Sequence, residues 1–207
     1  MTFKTDQENF WAGNFGTDYI DRNEGSQLLA SNLEFFVNAL KSTQNVKSCI
    51  EFGANIGMNI KALKLLYPKQ EHHAVEINSD AVVDLKKVVP SENIFEGSIF
   101  DFNPKVVCDL SIIKGVLIHI NPNELNNVYD KLVESCSKYL LVAEYYNPSP
   151  VTISYRGHND RLFKRDFVGE IMNRHSEMQL IDYGFAYKGD PKFPQDDITW
   201  FLLEKNS

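Results

Sequence analysis

The residues best equipped for chemistry begin with Glu51, two positions before Gly53 in the run VKSCIEFGANIG at 46–57. A carboxylate at the mouth of a glycine turn repels phosphate but can hold the ammonium group of an amino acid. Gly53 lets the backbone turn tightly beside a ligand, with Ala54 and Asn55 in the turn, and Gly57 lets a helix start close to the strand. The middle glycine of the dinucleotide fingerprint G-x-G-x-x-G is missing, and Asn55 stands inside a G-x-x-x-G spacing instead. Asn tolerates left-handed backbone, so the turn survives the change. Glu76, followed by Ile77, lies 19 residues after Gly57, where a carboxylate accepts hydrogen bonds from ribose hydroxyls. The plainer alternative for Glu76 is a surface carboxylate at a strand end.

Three further groups could act on a ligand held there. His119 is the only histidine at the carboxyl end of an expected strand near this turn; it suits a general base, and its alternative is a hydrogen-bonded structural histidine. The stretch 145–165 is dense in side chains that bind polyols and anions: Tyr145, Tyr146, Asn147, Tyr155, Arg156, His158, Arg161, Lys164 and Arg165. In a chain of formal net charge −7, such a local cation cluster suits a small anionic substrate, with Tyr146 or His158 as further candidate bases. The other reading is a helix-docking loop with surface charges. Near the N-terminus, Phe10, Trp11, Phe15, Tyr19 and Arg22 crowd together. They form either a lid, with Trp11 and Tyr19 as walls and Arg22 pairing with a ligand carboxylate, or a segment packed by its aromatics.

These groups need elements to place them. Residues 46–57 read as strand and turn, 58–67 as the helix that follows, and Pro68 as its stop. The apolar spacing of Leu29, Leu33, Phe36 and Leu40 predicts an amphipathic helix over 26–40. Strands are expected at 71–76, 93–96, 108–115 and 138–144, with helices at 78–89 and 122–137 between them. His72 and His73 open the first of these strands and read as exposed. The segment 108–115 is apolar enough to be buried on both faces, as a central parallel strand should be. After 138–144 comes a connection of about twenty residues, far beyond an ordinary strand–helix loop and at the sheet edge where substrate sites form. A helix at 166–174 and a hairpin of strands at 180–187 and 198–204 close the chain, joined by a turn-rich loop over 188–197 whose Gln195, Asp196 and Asp197 can also reach the site.

Length and composition set the class. The 207 residues fit one domain, with 1–40 as N-terminal helices or lid and 46–207 as the core. Hydrophobic residues at 43% and charged ones at 24% are those of a soluble globular protein. Net charge of −7, with no basic run longer than Lys86–Lys87, disfavours binding to a nucleic-acid backbone. The first residues lack the apolar segment of a signal peptide, and no apolar run reaches membrane-spanning length. Cys49, Cys108 and Cys136 fall in expected core segments without metal spacing, which points to reduced thiols and a cytoplasmic location.

The run EFGANIG, with an acid at the end of the next strand, resembles motif I of class I S-adenosylmethionine-dependent methyltransferases. More narrowly, FWAGNFGTDYIDRN, KGVLIHINP, AEYYNPSPVTISYRGHNDRLFKRDF and FPQDDITWFLLEK resemble a small family of pseudaminic acid biosynthesis-associated methylases. The resemblance implies an α/β fold: a Rossmann-like seven-stranded sheet of order 3-2-1-4-5-7-6, its last strand antiparallel, with helices on both faces and an N-terminal helical lid. It implies S-adenosyl-L-methionine as cofactor, S-adenosyl-L-homocysteine as product, no metal, and a small-molecule acceptor of the nonulosonic sugar or sugar-nucleotide kind. Gly97, Ser98 and Ile99 would then hold the adenine, with Ser98 or Asp101 replacing the Asp that many relatives carry directly after the glycine. Lys114, Gly115 and Val116 would lie under the methionine portion, beside Glu51, Gly53, Ala54, Asn55, Glu76 and Ile77. Trp11, Tyr19 and Arg22 would close over it. Tyr145, Asn147, Tyr155, Arg156 and Arg161 remain for the acceptor, and His119, Tyr146 or His158 for proton removal. Two rivals stand: a nicotinamide-dependent oxidoreductase, opposed by Glu51 and the altered turn, and a non-catalytic module that binds the same cofactor or serves as a pathway scaffold.

Overall fold

A run of five residues, SCIEF, is buried at four positions because it forms the middle of a sheet and meets helices on both faces. This is β1 (Ser48–Phe52), flanked in parallel by β2 (Glu71–Glu76) and by a strand at Cys108–Lys114. The computed structural model describes residues 3–20, 25–155 and 157–206, and at 158–160 the backbone alone. Its strands continue with β3 (Ile94–Glu96), β4 (Cys108–Lys114), β5 (Cys136–Glu144), β6 (Val151–Tyr155), β7 (His158–Lys164), β8 (Met178–Ala186) and β9 (Ile198–Lys205). The main sheet runs β3-β2-β1-β4-β5-β9-β8, and β9 is antiparallel to both neighbours. Numbered by its own seven strands, that order is 3-2-1-4-5-7-6, as expected.

Helices cover both faces. In chain order they are α1 (Asp6–Ala12), α2 (Asn14–Ile20), α3 (Ser26–Ala39), α4 (Met58–Leu66), α5 (Ser79–Leu85), α6 (Leu125–Glu134) and α7 (Phe167–Arg174). On one face Phe35, Phe36 and Leu63 pack on Leu110, Ile112, Leu141, Trp200 and Leu202. On the other, Val128, Tyr129, Leu132, Phe167 and Ile171 pack on Ile113, Leu140, Val142 and Leu203. Alternation along β4 and β9 thus feeds two cores, each burying several large side chains at about 1.5–3 kcal/mol apiece. The three cysteines are buried and unbridged. Among the described residues no helix is long and apolar enough to cross a membrane.

Four details depart from the sequence reading. The helix expected over 122–137 ends at Glu134, and Cys136 and Ser137 already belong to β5. The helix expected over 78–89 keeps its Asn78 cap but stops at Leu85. His72 is buried rather than exposed, and burial pushes its imidazole down to about 4. Much of the supposed long loop is the β6–β7 hairpin, anchored where Tyr146 bridges to Arg165 at the end of β5. Its roots are tied further by Arg165 Nε to Glu170 at 3.0 Å and by the Tyr129 hydroxyl donating to Glu170 at 2.7 Å.

Candidate active site

At the carboxyl edge of β1 the chain reverses through Gly53, at φ 74. A Cβ there would lie 2.5 Å from Val116 Cγ2, so only glycine lets this turn press against the loop after β4. The Gly53 and Ala54 amides donate to the Val75 carbonyl at 2.9 and 3.2 Å, and Asn55 adopts left-handed backbone at φ 49. The next amide, Asn55 N, donates to Glu76 Oε2 at 2.7 Å, while Asn78 N donates to Oε1 at 2.8 Å. Burial raises the Glu76 carboxyl pKa and these amides oppose the rise. The carboxylate is therefore oriented on both oxygens at the end of β2.

Glu51 is placed differently from the sequence reading. It is 1% exposed and lies outside the cavity wall, because β1 is enclosed on both faces. Its Oε1 accepts from Asn59 at 2.6 Å, and burial pushes its carboxyl up to about 8. Lys114, at the end of β4, faces it from the cavity wall, its Nζ 5.4 Å from the Phe35 ring centre; burial lowers its ammonium pKa, and the carboxyls of Glu51, Asp196 and Glu144 oppose the fall.

After β4 the chain makes a tight turn over Leu117–His119. Glu144, at the end of β5, is buried and accepts from the amides of Val116 and Leu117 at 2.9 Å each and of Ile118 at 3.5 Å. Burial lifts its carboxyl to about 7 against the pull of those amides. The turn so held presents His119, which is 8% exposed. His119 Nδ1 lies 2.6 Å from the Arg161 carbonyl oxygen. A carbonyl can only accept, so Nδ1 carries the proton and Nε2 carries the lone pair. Burial lowers the imidazole to about 4, which keeps it neutral at physiological pH.

The N-terminal helices form the facing wall. Trp11 lies 4.6 Å from the His119 ring and 5.4 Å from Tyr19, ring centre to ring centre. Asn78 Nδ2 donates to the carbonyls of Trp11 at 3.2 Å and Gly13 at 3.4 Å, and Thr17 Oγ1 donates to Asp80 at 2.8 Å. At Gly16 a Cβ would fall 1.9 Å from the Trp11 carbonyl oxygen, so glycine permits this close approach.

All these parts enclose one cavity of about 730 Å³, a size typical of small-molecule sites. Of the sequence candidates it is lined by Trp11, Tyr19, Gly53, Ala54, Asn55, Glu76, Ile77, Ser98, Ile99, Lys114, Gly115, Val116, His119, Tyr145 and Tyr155. Ser98 rather than Asp101 reaches the cavity, with its Oγ accepting from Phe100 N at 3.1 Å. Gly97 does not line it. Tyr146 faces away, its ring 5.9 Å from Phe201, and Asn147 is half-buried and donates to the Ser149 carbonyl. Arg161 enters the site through its carbonyl, and its guanidinium sits 5.5 Å from the Phe10 ring centre instead of in the cavity wall. Among the described residues the expected cations are not gathered on the cavity: Lys164 lies over the Tyr145 ring at 5.0 Å and Arg165 pairs with Glu170. Arg22, Arg156 and the His158 side chain lie outside the described residues.

Sequence reasoning missed several members of the wall. Asn78 reads as a helix cap and is one, yet its amide also reaches the N-terminal helices. The loop between β8 and β9 contributes Gln195 and Asp196, which the sequence reading offers to the site, and also Lys188, which it does not. Gln195 donates to Asn32 at 2.9 Å in the buried wall, and the Tyr145 hydroxyl donates to Asp196.

The donor set fits a nucleoside bearing an amino-acid end better than it fits a dinucleotide. Glu76 offers a fixed carboxylate where a ribose would lie, and a pyrophosphate would face that charge. Asn55 Oδ1 and Trp11 Nε1, both on cavity-lining residues, are buried without a hydrogen-bond partner in the protein, a state ligand groups relieve.

No known family profile and no curated protein sequence matches the chain. Solved structures do. The 1,6-didemethyltoxoflavin-N1-methyltransferase of Burkholderia thailandensis, with bound 1,6-didemethyltoxoflavin and S-adenosylhomocysteine, superposes with a TM-score of 0.70 over 100% of this chain and 92% of its own, at 10% identity. A SAM-dependent methyltransferase of Leishmania major gives 0.69 over 96% and 80%, at 14% identity. This is the class I methyltransferase fold. The mitomycin 7-O-methyltransferase MmcR shares the fold at a TM-score of 0.66 and 12% identity; 97% of this chain covers 61% of that one. Within the methyltransferase fold, the β6–β7 hairpin stands outside the main sheet and supplies Tyr155 and Leu162 to the cavity wall.

Proposed function

We propose that this chain is an S-adenosylmethionine-dependent methyltransferase that methylates a hydroxyl group of a small anionic polyol, such as a nonulosonic sugar or its nucleotide. The observation that carries the reading is one cavity lined both by Glu76, with its two oriented oxygens, and by His119, with its Nε2 lone pair set by the Arg161 carbonyl. Solved structures of the same fold that are methyltransferases support the cofactor, and the sugar class rests on the sequence resemblance.

When bound, S-adenosylmethionine supplies a methyl group already activated by its sulfonium. The protein's own part is position, dryness and a base. Glu76 accepts from the ribose hydroxyls, Ser98 and Ile99 border the base, and Trp11 and Tyr19 shut the cavity against water. Lys114 and Lys188 supply positive charge for an anionic acceptor. The pair of Tyr145 and Asp196, with Tyr155 opposite, offers donors and acceptors to a polyol. His119 Nε2 takes the hydroxyl proton as the oxygen attacks, and the Arg161 carbonyl stabilises the imidazolium through Nδ1–H. A carboxylate acceptor would have no use for that base.

Calorimetric titration with S-adenosylmethionine, S-adenosylhomocysteine and NAD, on the protein and on Glu76→Ala, tests the cofactor reading. Binding of the first two but not NAD, weakened in the variant, is expected. Failure of folded protein to bind either methionine nucleoside would sink it. Mass spectrometry of incubations with nonulosonic sugars and their nucleotides then tests the acceptor, and a methyl ester in place of a methyl ether would refute the role of His119.

A further inference from the structure

β8 is the last strand of the main sheet and has no strand beyond it. Such edges are usually blunted by lysine, proline or a covering segment. Here Met178–Ala186 reads MQLIDYGFA, with neither lysine nor proline. Its one charge, Asp182, is turned to the α3 side, where Ser42 donates to it at 2.8 Å and Lys41 pairs with it at 3.6 Å. On the opposite side Met178 is buried under α7, but that helix does not reach the rest of the strand. Tyr183 is 67% exposed, Phe185 59% and the following Tyr187 60%. Their rings continue an aromatic face through Phe201, 6.4 Å from Tyr183, to Tyr146, itself 42% exposed.

We infer that two copies of this chain associate through β8, pairing edge to edge about a two-fold axis at Gly184. The sequence is self-complementary in that register. An antiparallel pair centred on Gly184 sets Tyr183 directly opposite the second copy's Phe185 and Phe185 opposite its Tyr183, all on one face of a continuous sheet. Gly184 itself is kept flat by Trp200, whose ring would lie 2.5 Å from any Cβ there, so nothing projects at the axis. The Tyr183 N–H, accepted at 2.9 Å by the adjacent Asp182 Oδ1, is the donor that a carbonyl of the second copy would take over. Area agrees as well. At about 200 Å² for a whole aromatic side chain, the exposed rings of Tyr183, Phe185 and Tyr187 present roughly 370 Å² of apolar surface, the apolar share of an interface of about 650 Å² per partner. A strand carrying this pattern twice over, in reverse, is fitted by its own copy.

Sedimentation velocity of the full chain from about 1 to 100 μM tests the inference. A dimer is expected, strengthened by salt because each copy carries a net charge of −7. Two variants, Tyr183→Lys with Phe185→Lys and Tyr183→Glu with Phe185→Glu, should each sediment as monomers with unchanged circular dichroism. Mixed together they should dimerise at least tenfold more tightly than either alone, because each lysine meets a glutamate in this register. Wild-type protein that stays monomeric throughout overturns the proposal. So does a dimer that survives in both variants, or a mixture that gains nothing over its parts.

Discussion

Replacing Asn78 with Asp separates two roles that one side chain performs. Asn78 Oδ1 accepts from the amides of Asp80 and Ala81 at 3.0 Å each, capping α5. Its Nδ2 donates to the Trp11 and Gly13 carbonyls and lies 3.4 Å from Thr17 Oγ1, holding the N-terminal helices over the cavity. Asp caps as well as Asn, so α5 should keep its start. The donor, however, becomes an oxygen that faces two carbonyls. The amide's two protons make two bonds worth about 1 kcal/mol each, and the repulsion left behind adds roughly 1 kcal/mol more. About 3 kcal/mol corresponds to a ~100-fold rise in the open population of residues 3–20. Chymotryptic cleavage at Phe10, Trp11 and Phe15 should accelerate by that order, while the denaturant midpoint of the core moves little. Asn78→Ala is the contrast: it loses the cap too, and the core midpoint should fall by about 1 kcal/mol. If Asn78→Asp is cleaved no faster than wild type, or loses core stability as Asn78→Ala does, the two roles are not separable and the latch argument fails.

Other outcomes follow from the same geometry. His119→Asn keeps a donor toward the Arg161 carbonyl and removes the Nε2 lone pair; turnover should fall roughly 10²–10⁴-fold with cofactor affinity nearly unchanged. In the wild type the acid limb of kcat/KM should lie near pH 4, where burial places the imidazole, and not near 6.5. Glu51 binds its proton more tightly folded than unfolded, since burial raises it from 4.5 to about 8. Its contribution is therefore full below pH 4.5 and is lost as pH rises to 8; the stability difference between wild type and Glu51→Gln should change by roughly 1–4 kcal/mol over that window. Glu144→Ala strands three buried amides and should cost about 2–4 kcal/mol in urea unfolding. Gly53→Ala, with φ 74 and Val116 in the way, should lower the melting midpoint by several degrees.

Much of the frame was legible in the sequence because its central strands are buried on both faces and are therefore mostly apolar. The span of β2 is as expected from EHHAVE, and the turn after β1 announced itself through two glycines and the residue Asn55 between them. The β6–β7 hairpin was not legible for the opposite reason: Val151, Thr152, Ile153 and Ser154 are all exposed, so no core imposes a period on them. Cys136 was misassigned because it continues the apolar spacing of α6 and also opens a buried strand. Glu51 was misjudged because charge argued for the surface, whereas a central strand encloses every side chain it carries. The aromatic and acidic cavity residues and Gln195 were found by type and place, but Asn32 and Lys188 meet there only through the fold.

The hairpin's anchorage has a consequence for how such a chain can change. Its two roots lie side by side, joined by the bridge between Tyr146 and Arg165, and the sheet passes from β5 to β9 without it. Its length and composition can therefore vary while the strands holding Glu76 and His119 stay in register. Tyr155 and Leu162, the cavity residues it brings, sit on the interchangeable piece. A descendant could acquire a new taste in acceptors by exchanging one hairpin for another, provided the new one keeps a carbonyl where Arg161 meets His119 Nδ1, and an engineer could do the same in a single cassette.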